Sequence, residues 1–295
     1  MSSKSGSASR MPYAYVISHG DFKIYIALAD IAELHLHEEL VPELLDGLVD
    51  AIPRDGVLRH PIIVDRDTLV VLDGMHRVGA LERLGYERIP VCLVDYLSPL
   101  ITVGCWYRTL KDDVSLSRLL AEAQALELDV EHVSHIAPKD VGVSPVAAAV
   151  LTADGGFVVK KAFESLDAAY AVVKLLEERI RALGVEIGFE TEDDSMRMLR
   201  SGEVGGVLMT PRVEKEDVLR VALAGRLFPH KTTRHVIPAR PLFVNVPLDL
   251  LRGGIALEEA NARLAQLLGK RRLRHIPPGH LIEGRRYEED LYIFE

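Results

Sequence analysis

Apolar positions recur along this chain with two periods, and together they predict alternating short strands and amphipathic helices. The run FKIYIALADI at 22–31 predicts a β-strand leading into a turn. HEELVPELLDGLVDAIPRDG at 37–56 places Val41, Leu44, Leu45, Leu48 and Val49 at helical spacing, with Pro53 and Gly56 predicting the helix end. HPIIVD and TLVVLD are β-branched runs separated by Arg66-Asp67, the pattern of a strand pair. Val78, Leu81 and Leu84 then mark a helix stopped at Gly85, and IPVCLVDY and ITVGCWYR follow as strands.

The second half repeats this alternation. SLSRLLAEAQALELDVEHV at 115–133 reads as a helix bridging two lobes. PVAAAVLTADGGFVVKKAF predicts strand, Asp-Gly-Gly turn, strand, and ESLDAAYAVVKLLEERIRALG an amphipathic helix closing at Gly184. Two further segments, EDDSMRMLRSGEVGGVLMTP and VEKEDVLRVALAGRLFP, give helix, strand, helix. FPHKTTRHVIPARP at 228–241 has no period and carries prolines on both sides, so it is expected as an ordered loop. The C-terminal GKRRLRHIPPGHLIEGRRYEEDLYIFE, first basic and then acidic, fits an interaction tail or a solvated cap, and the solvated cap is the preferred reading. The fold class is α/β (α+β), with a tail at 1–11, a mixed β/α domain at 12–110 and a second α/β lobe at 111–295.

Composition narrows the classes. The 295 residues are 48% hydrophobic and 27% charged, a globular balance. No apolar run reaches the ~18–20 residues that span a bilayer, and the Ser-rich start lacks an apolar signal core, so a cytoplasmic protein is expected. The net charge of −9 argues against a general nucleic-acid binder. Cys92 and Cys105 sit in strand-like runs and suggest neither a disulfide framework nor a metal site. Asn and Gln are scarce against abundant Glu and Arg, a thermophile-like bias.

Three stretches offer chemistry. DGMHR at 73–77 puts a glycine turn and two cationic side chains between a strand and a helix. Glycine permits close approach of the backbone, the helix start favours an anion, and Arg offers a planar fork; a plain turn with a surface Arg fits equally well. The 228–241 segment gathers Lys231, Thr232, Thr233, Arg234, His235 and Arg240, donors suited to a carboxylate or phosphates. LHLHEEL at 34–40 places Glu38 ahead of a helix, where it serves either as a dipole partner of that helix or as a base.

Taken in order, HEEL, PIIVD, DGMHR and LGYERIPVCLVDY resemble the nucleotide-binding fold shared by ParB N-terminal domains and sulfiredoxin. With CWYR at 105–108 and FPHKTTRH at 228–235, the chain is similar to archaeal-type free L-serine kinases, whose usual motifs are DGHHR and KTTRH. That resemblance implies phosphoryl transfer from ADP or ATP, with Mg2+, to the hydroxyl of free L-serine in a cleft between two lobes. It makes Glu38 the base, and it assigns Asp73, Gly74, Met75, His76 and Arg77 to the nucleotide phosphates. Asp73 also serves the metal, and Asp73 and His76 join Glu38 in catalysis. Trp106, Lys231, Thr233 and His235 are implied for the amino acid and Thr232 and Arg234 for phosphate, while the product, O-phospho-L-serine, implies a place in cysteine biosynthesis. Met75 stands where the family has its first His, and it excludes the cysteine that sulfiredoxin chemistry requires. A ParB-like nucleotide-binding regulator is the non-enzyme alternative, opposed by the acidic charge and the lack of a basic recognition helix.

Overall fold

The FKIYIALADI run lies inside a five-stranded sheet. In the computed structural model, which describes residues 12–112 and 114–295, β1 (Tyr15–His19) and β2 (Phe22–Asp30) form an antiparallel hairpin. The tail expected at 1–11 lies outside the described residues. α1 (Pro42–Asp55) starts with Pro at its first turn, and Pro53 is carried inside the last turn rather than ending it. The left-handed Gly56, φ +69°, is the stop. β3 (Val57–Leu58), β4 (Ile62–Asp65), β5 (Val71–Asp73), α2 (Met75–Arg83) and β6 (Arg88–Val94) complete this segment. The sheet order is β1-β2-β6-β4-β5, with β4 and β6 parallel and the remaining pairs antiparallel. Every residue of β6 is buried, as a continuous apolar run in a central strand requires.

The chain then forms a second unit. The predicted strand ITVGCWYR breaks at Trp106 into β7 (Thr102–Cys105) and β8 (Tyr107–Leu110). The predicted bridging helix is shorter than expected. α3 (Leu116–Ala125) stops before Glu127, which is left-handed at φ +56°, and β9 (Asp129–Val133) pairs along β11. Backbone pairing with a sheet edge there overrides the helical spacing of the side chains. β10 (Val146–Thr152) and β11 (Gly155–Lys160) make the expected hairpin. α4 (Leu166–Ala182), β12 (Ile187–Glu190), α5 (Glu192–Ser201), β13 (Gly206–Met209) and α6 (Lys215–Leu223) follow. The sheet runs β12-β8-β13-β10-β11-β9 over a core that includes Tyr107, Ala149, Val158, Val207 and Met209. The segment expected as a loop at 228–241 carries β14 (Thr233–Val236), paired with β7, and the start of β15 (Ala239–Leu242).

Residues 236–295 return to the first unit, which comprises the described residues to Leu36, Leu40–Thr102 and Val236–Glu295; the second comprises His37–Glu39 and Val103–His235. This differs from the sequence boundary at 110/111 because the C-terminal segment is not a solvated cap. β16 (Val246–Pro247) pairs with β3, and α7 (Leu257–Leu268), which the sequence reading missed, packs on β2. β17 (Leu273–Ile276), the small hairpin of β18 (Leu281–Ile282) and β19 (Arg285–Arg286), and β20 (Asp290–Phe294) follow, with β20 central between β15 and β17 and Leu291 and Phe294 buried. One polar contact explains the docking of α7. Leu28 lies past Ile26, the last residue of β2 paired with β1, so its backbone groups face an edge that β1 does not reach. Buried Asn261 takes Leu28 N–H at 2.7 Å and donates its own amide to the Leu28 carbonyl at 3.2 Å.

Candidate functional site

Glu38 is a buried carboxylate of the second unit. Its backbone bridges to Phe228, and the residue is 5% exposed. Oε1 accepts from Thr233 N–H at 2.6 Å and from Thr233 Oγ1–H at 2.7 Å, while Oε2 accepts from Lys231 N–H at 3.0 Å. Lys231 reaches that position in the left-handed region, φ +63°, a conformation that costs a non-glycine residue free energy and aims its amide at the carboxylate. Glu38 is therefore no helix cap: the α1 N-cap is Val41, and no side chain caps it. Because Thr233 donates to Glu38, it accepts from His37 Nε2 at 2.9 Å, which fixes the proton on that nitrogen. The His37 ring, fully buried, meets His235 edge to face at 5.4 Å.

Trp106 lies beside this cluster. Its indole N–H donates to the Thr233 carbonyl at 3.0 Å, and its ring carries Lys231 Nζ at 5.2 Å and the Arg234 guanidinium at 5.7 Å. Beneath it a buried polar layer fixes its backbone. Arg108, fully buried and paired with Glu177, donates to the Trp106 carbonyl at 2.6 Å, and Thr210 Oγ1 donates to the same oxygen at 3.2 Å. Tyr170 then donates to Pro211 O at 2.6 Å, and burial holds its phenol far above the usual range, so it remains a donor.

In the first unit β5 delivers Asp73 to the turn and Gly74 caps α2 at φ +97°. Only glycine fits, since a Cβ would lie 2.5 Å from Arg77 Nη2 and 2.6 Å from Ile62 Cγ2. Arg77 donates to the carbonyls of His60 and Pro61 at 3.0 and 2.9 Å and sits 3.6 Å from Asp73 Oδ2. Arg240 donates to that same oxygen at 2.6 Å and also pairs with Glu289. Burial alone would raise the Asp73 carboxyl. The guanidiniums of Arg240, Arg77 and Arg285 outweigh it and hold the group well below the usual carboxylate range. Cys92 and Cys105 are free and buried, each pushed up to about 12 chiefly by burial, which makes them packing residues rather than nucleophiles.

No protein-family model matches the chain. It is 28% identical over 232 residues to the ATP-dependent L-serine kinase of Staphylothermus marinus, covering 76% of this chain and 90% of that protein. It is 25% identical over 236 residues to the ADP-dependent L-serine kinase of Thermococcus kodakarensis, covering 78% of this chain and 94% of the relative. The chain is similar to L-serine kinases. A solved free serine kinase in complex with AMP superposes with a TM-score of 0.66 at 24% identity, covering 77% of this chain and 93% of that one, so the fold is that of the serine-kinase structure. Among the described residues no helix is long and apolar enough to cross a membrane.

The residues expected from the serine-kinase motifs fall into two groups, one in each unit. Glu38, Trp106, Lys231, Thr233 and Arg234 are joined by the contacts above, and His235 meets them through His37. Asp73, Gly74, Met75, His76 and Arg77 form the turn and first positions of α2. Thr232 differs from expectation: it is fully buried and its hydroxyl donates to Pro229 O at 2.8 Å, so it shapes its own loop. His76 is partly committed as well, since its Nε2 accepts from Val41 N–H at 2.9 Å. Sequence reasoning missed two residues, His37 in the quoted LHLHEEL stretch and Arg108 in CWYR; Arg240 was named as a donor, but nothing local announced that its partner is Asp73.

Proposed function

We propose that the chain is a kinase that moves the terminal phosphoryl group of ADP or ATP onto the hydroxyl of free L-serine, giving O-phospho-L-serine. The observation that carries this reading is the Glu38 carboxylate, buried and aimed by three donors from the Lys-Thr-Thr segment, with Trp106 and Lys231 beside it. Phosphoryl transfer asks the protein for little beyond an in-line hydroxyl, a group that takes its proton and cations around the transferred phosphoryl. Glu38 takes the serine hydroxyl proton as the new O–P bond forms and the bond to the departing nucleotide breaks. Lys231 and Arg234 supply cationic donors, and His235 a ring N–H, for the serine carboxylate and the phosphoryl oxygens. The left-handed Gly74 turn, at the positive end of α2, takes the donor's phosphates.

A nucleotide-borne Mg2+ needs one or two protein carboxylates at most. Asp73 fits that demand, because its neighbouring guanidiniums keep it ionised at any neutral pH. When bound, the ion would neutralise phosphate charge. Arg77 acts here through the backbone: its fork locks the turn by way of the His60 and Pro61 carbonyls.

The test crosses ADP and ATP with serine, threonine and homoserine and reads the phosphorylated amino acid by mass spectrometry, for the native chain and for Glu38→Gln and Asp73→Asn. O-phosphoserine from one donor, lost in both variants, supports the reading. Absence of any phosphorylated amino acid, with tight binding of CTP or duplex DNA, overturns it in favour of a regulator.

A further inference from the structure

Among the described residues, those proposed for catalysis leave one cluster of metal-ligating side chains unused. His19 closes β1, His275 lies in β17 and Asp290 opens β20, all in the first unit, and their donor atoms lie within 4.8 Å of one another. We propose that His19, His275 and Asp290 bind one divalent transition-metal ion of the Zn2+ class.

The two imidazoles converge on opposite oxygens of a single carboxylate. His275 Nε2 is 2.5 Å from Asp290 Oδ1, and His19 Nε2 is 3.6 Å from Asp290 Oδ2. In a tetrahedral zinc site with bonds of about 2.0–2.1 Å, neighbouring donors sit roughly 3.3 Å apart. The two observed separations straddle that value, so small side-chain rotations bring the atoms onto one ion. A lone surface ion pair needs one histidine; this carboxylate faces two.

The surroundings also match. The Tyr292 hydroxyl lies 3.1 Å from His19 Nδ1, and its ring packs against both imidazoles at centroid distances of 6.0 and 5.2 Å. With the Nδ1 proton given to Tyr292, the His19 Nε2 lone pair points toward the cluster, the outer contact that metal-binding histidines commonly make. The His275 side chain is 49% exposed, which leaves a fourth position for water and a path of entry. Two nitrogens and one oxygen favour Zn2+, Co2+ or Ni2+ over Mg2+, whose ligands are oxygens. The ion ties the end of the N-terminal hairpin to the C-terminal sheet.

The test uses the untagged full chain, freed of metal by chelator and dialysis, and titrated with Co2+. The expected result is saturation at one equivalent with the intense visible absorption of low-coordinate cobalt, displaced by equimolar Zn2+. His19→Ala and His275→Ala lose that equivalent, exposed His132→Ala keeps it, and Tyr292→Phe weakens it by about 10–100-fold. If the alanine variants fold poorly, the native chain decides: Zn2+ protects His19 and His275 from diethyl pyrocarbonate, mapped by mass spectrometry. Absence of a saturable equivalent, its survival in both alanine variants, or equal modification with and without Zn2+ each overturns the proposal.

Discussion

Glu38→Gln separates chemistry from structure because the native contacts say what the amide loses. Gln keeps the length of Glu but presents one oxygen and one NH2. The less costly orientation leaves the oxygen toward Thr233, whose N–H and Oγ1–H are 2.6 and 2.7 Å from Oε1, and turns the NH2 toward Lys231 N–H, 3.0 Å from Oε2. One donor then faces another, so the cost is about one hydrogen bond to a charged acceptor, roughly 1.5–3 kcal/mol. The catalytic loss is larger in kind: an amide cannot take the serine proton, and a positioned general base contributes about 10²–10⁴-fold. The assay pairs urea unfolding with single-turnover formation of O-phosphoserine at saturating serine and nucleotide. The expected variant is folded, destabilised by the stated amount and slowed at least 100-fold with little change in nucleotide affinity. A rate within tenfold of native would refute the assignment of Glu38 as base, and a native rate with lost stability would make it a structural anchor of the Lys-Thr-Thr segment.

Three other outcomes are expected. Trp106 is the only tryptophan, so its emission should change on saturation with serine, and Trp106→Phe, losing the bond to the Thr233 carbonyl worth about 0.5–1.5 kcal/mol, should raise the serine KM several-fold more than it lowers kcat, checked by steady-state kinetics. Arg240→Met removes the strongest attraction on Asp73, whose carboxyl is depressed in the folded state. That pairing stabilises the fold above the ordinary carboxylate value near pH 4 and is lost as pH falls toward the depressed one, so the urea midpoints of native and variant should differ most at pH 7 and begin to converge only below about pH 4. Gly74→Ala forces a Cβ to 2.5 Å from Arg77 Nη2 at a positive φ and should lower stability by about 1–3 kcal/mol, read as a drop in Tm; an unchanged Tm would show that the turn relaxes freely.

How far the sequence speaks depends on the range of the interaction. β2, the β4–β5 pair, α2 and α4 follow from apolar period and glycine stops, which are local properties, and the structure has them where the pattern put them. β9 was missed because the spacing of 115–133 is helical until Glu127, and only pairing with β11 makes the remainder a strand. α7 did carry a signal, since Leu257, Ala260, Leu264 and Leu268 are helically spaced; its place beside β2 did not, because that depends on Asn261 meeting the Leu28 backbone groups from 233 positions away. The site divides the same way. The DGMHR turn and the KTTRH segment were visible as composition, whereas Arg240 meets Asp73 from 167 positions away.

That division changes what the side chains of the turn do. Arg77 spends its fork on two backbone carbonyls, and His76 accepts a backbone N–H at the start of α1. Both side chains that made DGMHR look like an anion site therefore hold the turn together, and in the proposed kinase the phosphate would rest on the left-handed Gly74 turn at the start of α2. Met75 then costs less than its departure from the serine-kinase motif suggests. In the proposed site the backbone of the turn is kept whatever side chain follows the glycine, so Met75 would bear on what packs against the nucleotide rather than on whether phosphate is held. Met75→His should accordingly leave nucleotide affinity within a few-fold of native, measured by calorimetry, and a gain of tenfold or more would return the phosphate contact to the side chain.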